Sequence, residues 1–206
     1  MPKETFYNLP EAKRNKIYES ALDEFAKNPY RQASINRIIE NAGIPKGSFY
    51  QYFTNKKDLY KFLIEEIYKK KISYLTPEMA NPSGMNCFEF LKELFKSGIR
   101  FAKENPRLAK IGQHMLSDSE ADTYNEIMDD KKDEGLKIYK NILAEGVKRG
   151  DVKADINLNL AAYYLFQLSN SISGDLIDLF GKSEEENFMS LVEDMIDLLE
   201  NGIGSK

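Results

Sequence analysis

Ala42-Gly43-Ile44-Pro45-Lys46-Gly47-Ser48-Phe49-Tyr50-Gln51-Tyr52-Phe53-Thr54-Asn55-Lys56-Lys57-Asp58-Leu59 is the stretch of this 206-residue chain that decides its fold. Gly43 can take the positive φ of a tight turn, and Pro45 suits the first position of a short helix running to Tyr52. Ile44, Phe49 and Phe53 fall where they can face a core, which leaves Lys46, Gly47, Ser48, Tyr50, Gln51 and Tyr52 outward. Asn55 is a good cap for the next helix, which carries Leu59, Phe62, Leu63, Ile67 and Ile72 to about Leu75.

Working back from that stretch, Ile35 to Asn41 reads as a helix of about two turns, and the Ser34 hydroxyl can accept a hydrogen bond from a free N–H at its start. Pro10 to Lys27 forms a longer helix with Ile17, Tyr18, Ala21, Leu22 and Phe25 on one face. Asn28-Pro29 ends it, because Asn tolerates the left-handed conformation and Pro cannot continue the ladder. Two short helices joined by a Gly turn, with a longer one able to pack across both, make the pattern of a helix-turn-helix DNA-binding unit.

The outward residues have the chemistry for a duplex. Lys46 and Gln51 can hydrogen-bond base edges, Lys on guanine acceptors and Gln on the adenine donor and acceptor pair. Gly47, lacking a side chain, lets the backbone come close to the DNA. Ser48, Tyr50 and Tyr52 offer hydroxyls to phosphate oxygens, as do Ser34 and Asn36 from the preceding helix. Lys56 and Lys57 place positive charge at the start of the fourth helix, where the dipole also favours anions.

These residues resemble the TetR-type transcriptional regulators. The resemblance is carried by Ala21-x-x-x-Phe25, by Tyr30 with Ser34-x-x-x-Ile38, and by Ala42 through Leu59, which follows the pattern Ala-Gly-Val/Ile-x-Lys-Gly-Ser/Thr-x-Tyr-x-Tyr/His-Phe-x-x-Lys-x-x-Leu. It covers residues 10 to 60. One departure is Asn28-Pro29-Tyr30, where most members have Gly before the Tyr. Position 51 varies in this family and helps choose the operator. The resemblance implies a variable C-terminal domain that binds an effector and dimerises, with two reading helices on a palindrome whose half-sites lie about 34 Å, or a multiple of that, apart.

Downstream, Thr76 to Asn86 contains Pro77, Pro82 and Gly84 and is the clearest break in the chain. Helical spacing then continues near 87–104, 106–116, 119–149, 157–180 and 184–200, with breaks at Pro106, Gly150 and Gly181. No stretch shows sustained strict alternation, so the expected fold is all-α. A three-helix helix-turn-helix DNA-binding domain, residues 1–57, is joined by a fourth helix to a helical effector-binding and dimerisation domain, residues 58–206. Leu160, Tyr164 and Leu168 on one late helix, and Phe188, Leu191, Val192, Met195 and Leu199 on the last, form apolar stripes that could build a four-helix bundle with a second copy. The resemblance implies an apolar effector pocket among residues 87–180, with Phe95, Ile99, Tyr124, Met128 and Tyr164 as candidate walls and Gln113, His114 and Gln167 to orient the ligand.

Composition removes other classes. Twenty-nine Lys and Arg against 33 Asp and Glu leave a formal charge of -4, yet residues 1–57 hold ten basic and six acidic residues and are net positive. One cysteine and one histidine exclude a metal site built from several such ligands, and no cofactor is expected. The single Cys87 suits a reducing compartment, the first residues are polar, and no run approaches the ~18 apolar residues of a membrane span, so a cytoplasmic protein without membrane contact is expected. No Gly-rich phosphate loop, nucleophile elbow or carboxylate pair offers an enzyme its chemistry. The competing reading is a helical small-molecule or protein-binding module of the same architecture that does not bind DNA. The positive N-terminal region argues against it.

Overall fold

The computed structural model of the chain describes residues 2–80, 84–117, 122–171 and 185–204. Its helices in chain order are α1 (Glu4–Tyr7), α2 (Glu11–Lys27), α3 (Ile35–Ala42), α4 (Lys46–Tyr52), α5 (Lys56–Ile72), α6 (Pro77–Ala80), α7 (Cys87–Glu104), α8 (Pro106–Ser117), α9 (Asp122–Arg149), α10 (Leu158–Ser171) and α11 (Glu185–Ile203). Among the described residues there is no strand, only an isolated antiparallel bridge between Val152 and Gly204. The all-α expectation therefore stands. None of the described helices is long and apolar enough to cross a membrane.

Three helix ends differ from the sequence reading. Asn28 is extended at φ -128°, not left-handed, because the residue before a proline is pushed out of the helical regions. Its N–H and side-chain amide both donate to the Glu24 carbonyl. The Ser34 hydroxyl makes no capping hydrogen bond to α3. The Glu24 carboxylate takes the Ser34 N–H instead, at 2.8 Å, and an ionised acceptor makes the stronger bond. Pro45 stands one place before the first helical residue, with its carbonyl accepting the Ser48 and Phe49 N–H groups. Polar caps do form at other helix starts, and one of them is reciprocal. Asn86 and Glu89 make a capping box on α7, each side chain accepting the other's backbone N–H, at 2.8 and 2.9 Å.

By packing, the chain divides into two compact units. The first comprises Met1–Lys70 and Asn105–Ile127. The boundary expected between residues 57 and 58 falls inside it, at the start of α5. Its core gathers Ile17, Ala21 and Phe25 of α2, Ile38 of α3, Phe49 of α4, and Leu59 and Leu63 of α5. Helix α8 lies on α2: Leu108, Ile111 and Met115 are buried, Arg107 bridges Glu19 and Asp23 at 2.7 and 2.8 Å, and His114 Nδ1 is 3.1 Å from the Phe25 carbonyl oxygen. Being half-exposed, the Arg107 pairs orient α8 more than they stabilise it.

Helix α1 is the element the polar N-terminal sequence did not announce. It exists because Phe6 is fully buried, with its ring 4.9 Å from that of Phe53 and 5.4 Å from that of Phe62.

The second unit comprises Lys71–Glu104 and Met128–Lys206. Its core is a seam between long helices: Cys87, Phe88, Leu91 and Phe95 of α7, Tyr139 and Leu143 of α9, Leu165 and Phe166 of α10, Val192 and Ile196 of α11. Gly146 permits the approach of α9, since a Cβ there would lie 2.8 Å from Val152 Cγ2 and 2.9 Å from Cys87 Cβ. Burial, with the Asp151 charge, pushes the Cys87 thiol up to about 11, so it is protonated at neutral pH.

Candidate nucleic-acid interface

The turn between α3 and α4 is closed by its backbone. Gly43 sits at φ +63°, its N–H bonds the Glu40 carbonyl, and the Ile44 N–H reaches back to Ile39, which together form a Schellman closure. A side chain at 43 would be strained by that φ and would also crowd Lys16 Nζ, 3.2 Å from the position of its Cβ. With the turn set, Phe49, Tyr52 and Phe53 are driven inward. Lys46, Gly47, Tyr50 and Gln51 are exposed at helical spacing i, i+1, i+4 and i+5, so they share one outer stripe of α4, with Ser48 half-buried at its edge.

Tyr52, expected outward, is 5% exposed, with its ring 6.3 Å from Phe6. The reason is geometric: on a seven-residue helix beginning at Lys46, position 52 stands one turn beyond buried Phe49 and falls on the same inner side. On α3, Asn36 is exposed and Ser34 half-buried, with its hydroxyl left out of the cap.

The ends of these short helices are held by side chains from other parts of the first unit. Glu24, 4% exposed, accepts the Ser34 N–H and the Arg37 guanidinium together. Burial alone would raise its pKa, but the hydrogen bonds from Arg37 and Ser34 and the charges of Arg37 and Lys27 outweigh it and hold the carboxyl below its ordinary value.

Lys56, expected to carry charge to a phosphate, donates from Nζ to the Tyr30 and Ala33 carbonyls at 2.6 and 2.8 Å and lies 4.6 Å from the centroid of the Tyr30 ring. Its ammonium therefore ties down the α2–α3 turn, and burial pushes its pKa down against the opposing pull of Glu24. Lys57 is half-buried. At the far end of α4, the Tyr50, Gln51 and Tyr52 carbonyls receive Lys3 Nζ, Thr5 Oγ1 and the Lys3 N–H. Nothing in local spacing pointed to Glu24, Lys3 or Thr5, because each acts on residues distant in sequence.

The candidate effector residues are drawn from both packing units. Gln113 and His114 belong to the first unit, where Gln113 accepts Lys110 Nζ at 2.8 Å and His114 meets the Phe25 carbonyl. Phe95 and Ile99 pack in the core of the second unit, whereas Tyr164 and Gln167 are exposed on α10. The side chains of Tyr124, Met128 and Phe188 lie outside the described residues.

Of the stripes proposed for dimerisation, Val192 turns into its own core, and Met195 and Leu199 pack against that core. Leu168 and Leu191 are half-buried. What remains outward is Leu160, Tyr163 and Tyr164 of α10, with Tyr164 58% exposed, and Leu198 of α11, 76% exposed. Among the described residues no group of three or more His, Cys, Asp or Glu could hold a metal ion.

Comparison with known proteins agrees with this geometry. Residues 17–62 match bacterial regulatory proteins of the tetR family, and residues 85–204 match the tetracyclin repressor-like C-terminal domain. A TetR family transcriptional regulator from Chloroflexus aurantiacus J-10-FL, solved by crystallography, is 36% identical with a TM-score of 0.79, and the match covers 100% of both chains. The fatty acid metabolism regulator protein of Bacillus subtilis (strain 168) is 24% identical over 190 residues, 92% of this chain and 95% of the relative. The crystal structure of the transcriptional regulator FadR from Bacillus subtilis in complex with stearoyl-CoA shares the fold, with a TM-score of 0.70 at 21% identity, covering 92% of this chain and 98% of that one. With an N-terminal helix-turn-helix and a helical C-terminal unit both matched, the chain belongs to the TetR family of transcriptional regulators.

Proposed function

We propose that the chain is a ligand-responsive repressor, acting in the cytoplasm, that binds a palindromic operator as a homodimer and leaves it when a small, largely apolar effector binds. The observation that carries the reading is the outer stripe of α4. Lys46, Gly47, Tyr50 and Gln51 stand exposed on a two-turn helix whose inner face is fully engaged, and they combine base-reading groups with a bare backbone. Ser34, Asn36 and Ser48 flank that stripe with phosphate-binding groups. Lys56 and Tyr52 serve the same site from behind, by holding the turn and the helix in place.

Pairing is supported by the outward apolar residues Leu160, Tyr163, Tyr164 and Leu198, which a second copy would cover. The effector is assigned to the C-terminal helices, with Phe95 and Ile99 among its walls, and helix α5 is the route by which its binding reaches the head. Operator affinity then falls by no more than the effector's preference between the two arrangements. The stearoyl-CoA of the Bacillus subtilis structure makes a long-chain acyl thioester the first effector to try.

The test is selection from randomised duplex pools at low ionic strength, followed by titration of the selected duplex with stearoyl-CoA. A palindrome with half-sites about 34 Å apart is the expected outcome. A pool that emerges without an enriched motif would overturn operator binding and leave the competing reading, a helical binding module without DNA.

A further inference from the structure

We propose that Lys3 and Thr5 are positioning residues for operator reading: the N-terminal segment closes the open end of α4 and so fixes the direction in which Tyr50 and Gln51 point. The inference rests on α4 being the DNA-reading helix, and it concerns residues outside the contact stripe.

An α-helix leaves its last four carbonyls without intrahelical partners, and in a helix of seven residues those four are more than half of its backbone acceptors. The Phe49 carbonyl is used by the Phe53 N–H at 2.9 Å. The other three are all taken by two residues of the N-terminal segment. Lys3 Nζ donates to the Tyr50 carbonyl at 2.8 Å, Thr5 Oγ1 donates to that of Gln51, and the Lys3 N–H donates to that of Tyr52 at 2.8 Å. Lys3 also brings a positive charge to the negative end of the helix dipole.

The latch is itself held in place. Pro2 is buried, Phe6 is fully buried against Tyr52 and Phe53, and Arg14 of α2 donates to the Tyr7 carbonyl at the end of α1.

Tyr50 and Gln51 are the residues whose carbonyls the latch seizes and whose side chains stand exposed on α4. If that last turn frayed, the Gln51 side chain would lose the fixed geometry that two-point readout of an adenine edge requires, whereas undirected charge on phosphates would persist. Loss of the latch should therefore weaken the preferred site more than DNA in general. A lysine that touched phosphate would behave differently, lowering affinity for every sequence and reducing the salt slope by about one.

The experiment uses the full chain and fluorescence anisotropy on two duplexes, one selected by the wild-type protein from a randomised pool and one unrelated duplex of equal length, each at several salt concentrations. Thr5→Val is expected to loosen the selected duplex by about three- to tenfold. The unrelated duplex should change less than about twofold and the salt slope should stay that of wild type. Thr5→Ser, which keeps the donor, should bind like wild type. Lys3→Met should loosen the selected duplex at least as much, with Lys3→Arg restoring it. Hydrogen exchange over residues 49–53 should accelerate in Thr5→Val, with the rest of the chain unchanged.

If Thr5→Val fails to fold, Lys3→Met with Lys3→Arg decides on the same readouts. Unchanged binding of the selected duplex by the folded variants overturns the latch, as does equal weakening on both duplexes with a salt slope lowered by about one in Lys3→Met. A wild-type chain that selects no sequence overturns the operator reading and the latch with it. One that selects a sequence which the folded latch variants read unchanged overturns the latch alone.

Discussion

The two packing units reach order by different means. In the first, α3 and α4 are about two turns long, so their unpaired end groups make up most of their backbone, and side chains from elsewhere in the unit satisfy them: Glu24 at the start of α3, Lys56 on the turn before it, Lys3 and Thr5 at the end of α4. In the second, the described helices run from 14 to 28 residues apart from the single turn of α6, and apolar stripes meet along a continuous seam, with Gly146 setting how close α9 can come. Short helices that present a reading surface need polar brackets because they have little length over which packing can act. Long helices depend on them less.

Glu24 is the polar bracket on which the first unit leans most. Replacing it with Ala strips the Ser34 N–H and the Arg37 guanidinium of their acceptor and, with Arg37 half-exposed and open to water, is expected to destabilise the first unit by about 1.5–3 kcal/mol, measured by denaturant unfolding. Loss of less than about 1 kcal/mol would mean that the polar brackets do not hold the head. The same carboxyl gives a pH signature. Its folded pKa is depressed, so its contribution is present above the unfolded value of about 4.3 and is lost as pH falls through the folded value. Acid unfolding profiles of wild type and Glu24→Gln should therefore converge at low pH and separate above it.

The second unit should break by packing. Gly146→Ala is expected to cost about 1–3 kcal/mol, because the added carbon meets Val152 and Cys87, and this outweighs the ~1 kcal/mol that Ala gains over Gly in a helix. Gly98→Ala on α7 meets nothing within 4 Å and should instead stabilise the same unit by up to ~1 kcal/mol. Opposite signs in thermal unfolding would confirm that one glycine is a contact and the other only a flexible residue. The smallest expected effect on folding is at Gly47, where a Cβ would also meet open space. Gly47→Ala should leave the thermal midpoint unchanged or slightly raised while weakening operator binding, and undiminished binding would mean the backbone there does not approach DNA.

Much of the fold was legible because helix signals are local. The stripe Ile17, Ala21, Phe25, the Gly43 turn and the Asn55 cap all appear in the structure where the spacing put them, with Gly43 left-handed and Asn55 Oδ1 accepting the Asp58 N–H at 3.0 Å. Most of the α4 stripe was legible for the same reason. Tyr52 was expected outward for its hydroxyl, whereas its register one turn beyond buried Phe49 and the Phe6 ring beside it place it inside. The Ser34 cap failed because a carboxylate ten residues upstream competes for the same N–H. Val192 was assigned to a partner's surface although its own chain covers it, since an apolar stripe records that a face is hidden and not what hides it.

By itself, then, the sequence determined the helices, the turn between α3 and α4, and the kinship that goes with Ala42 to Leu59, all of which depend on residues a few positions apart. Tertiary structure alone decided which polar groups close the helix ends and that α8 packs on α2. The reason is that an unpaired carbonyl or N–H accepts any partner of the right chemistry, so its choice is made by whichever distant segment the packed core brings within reach.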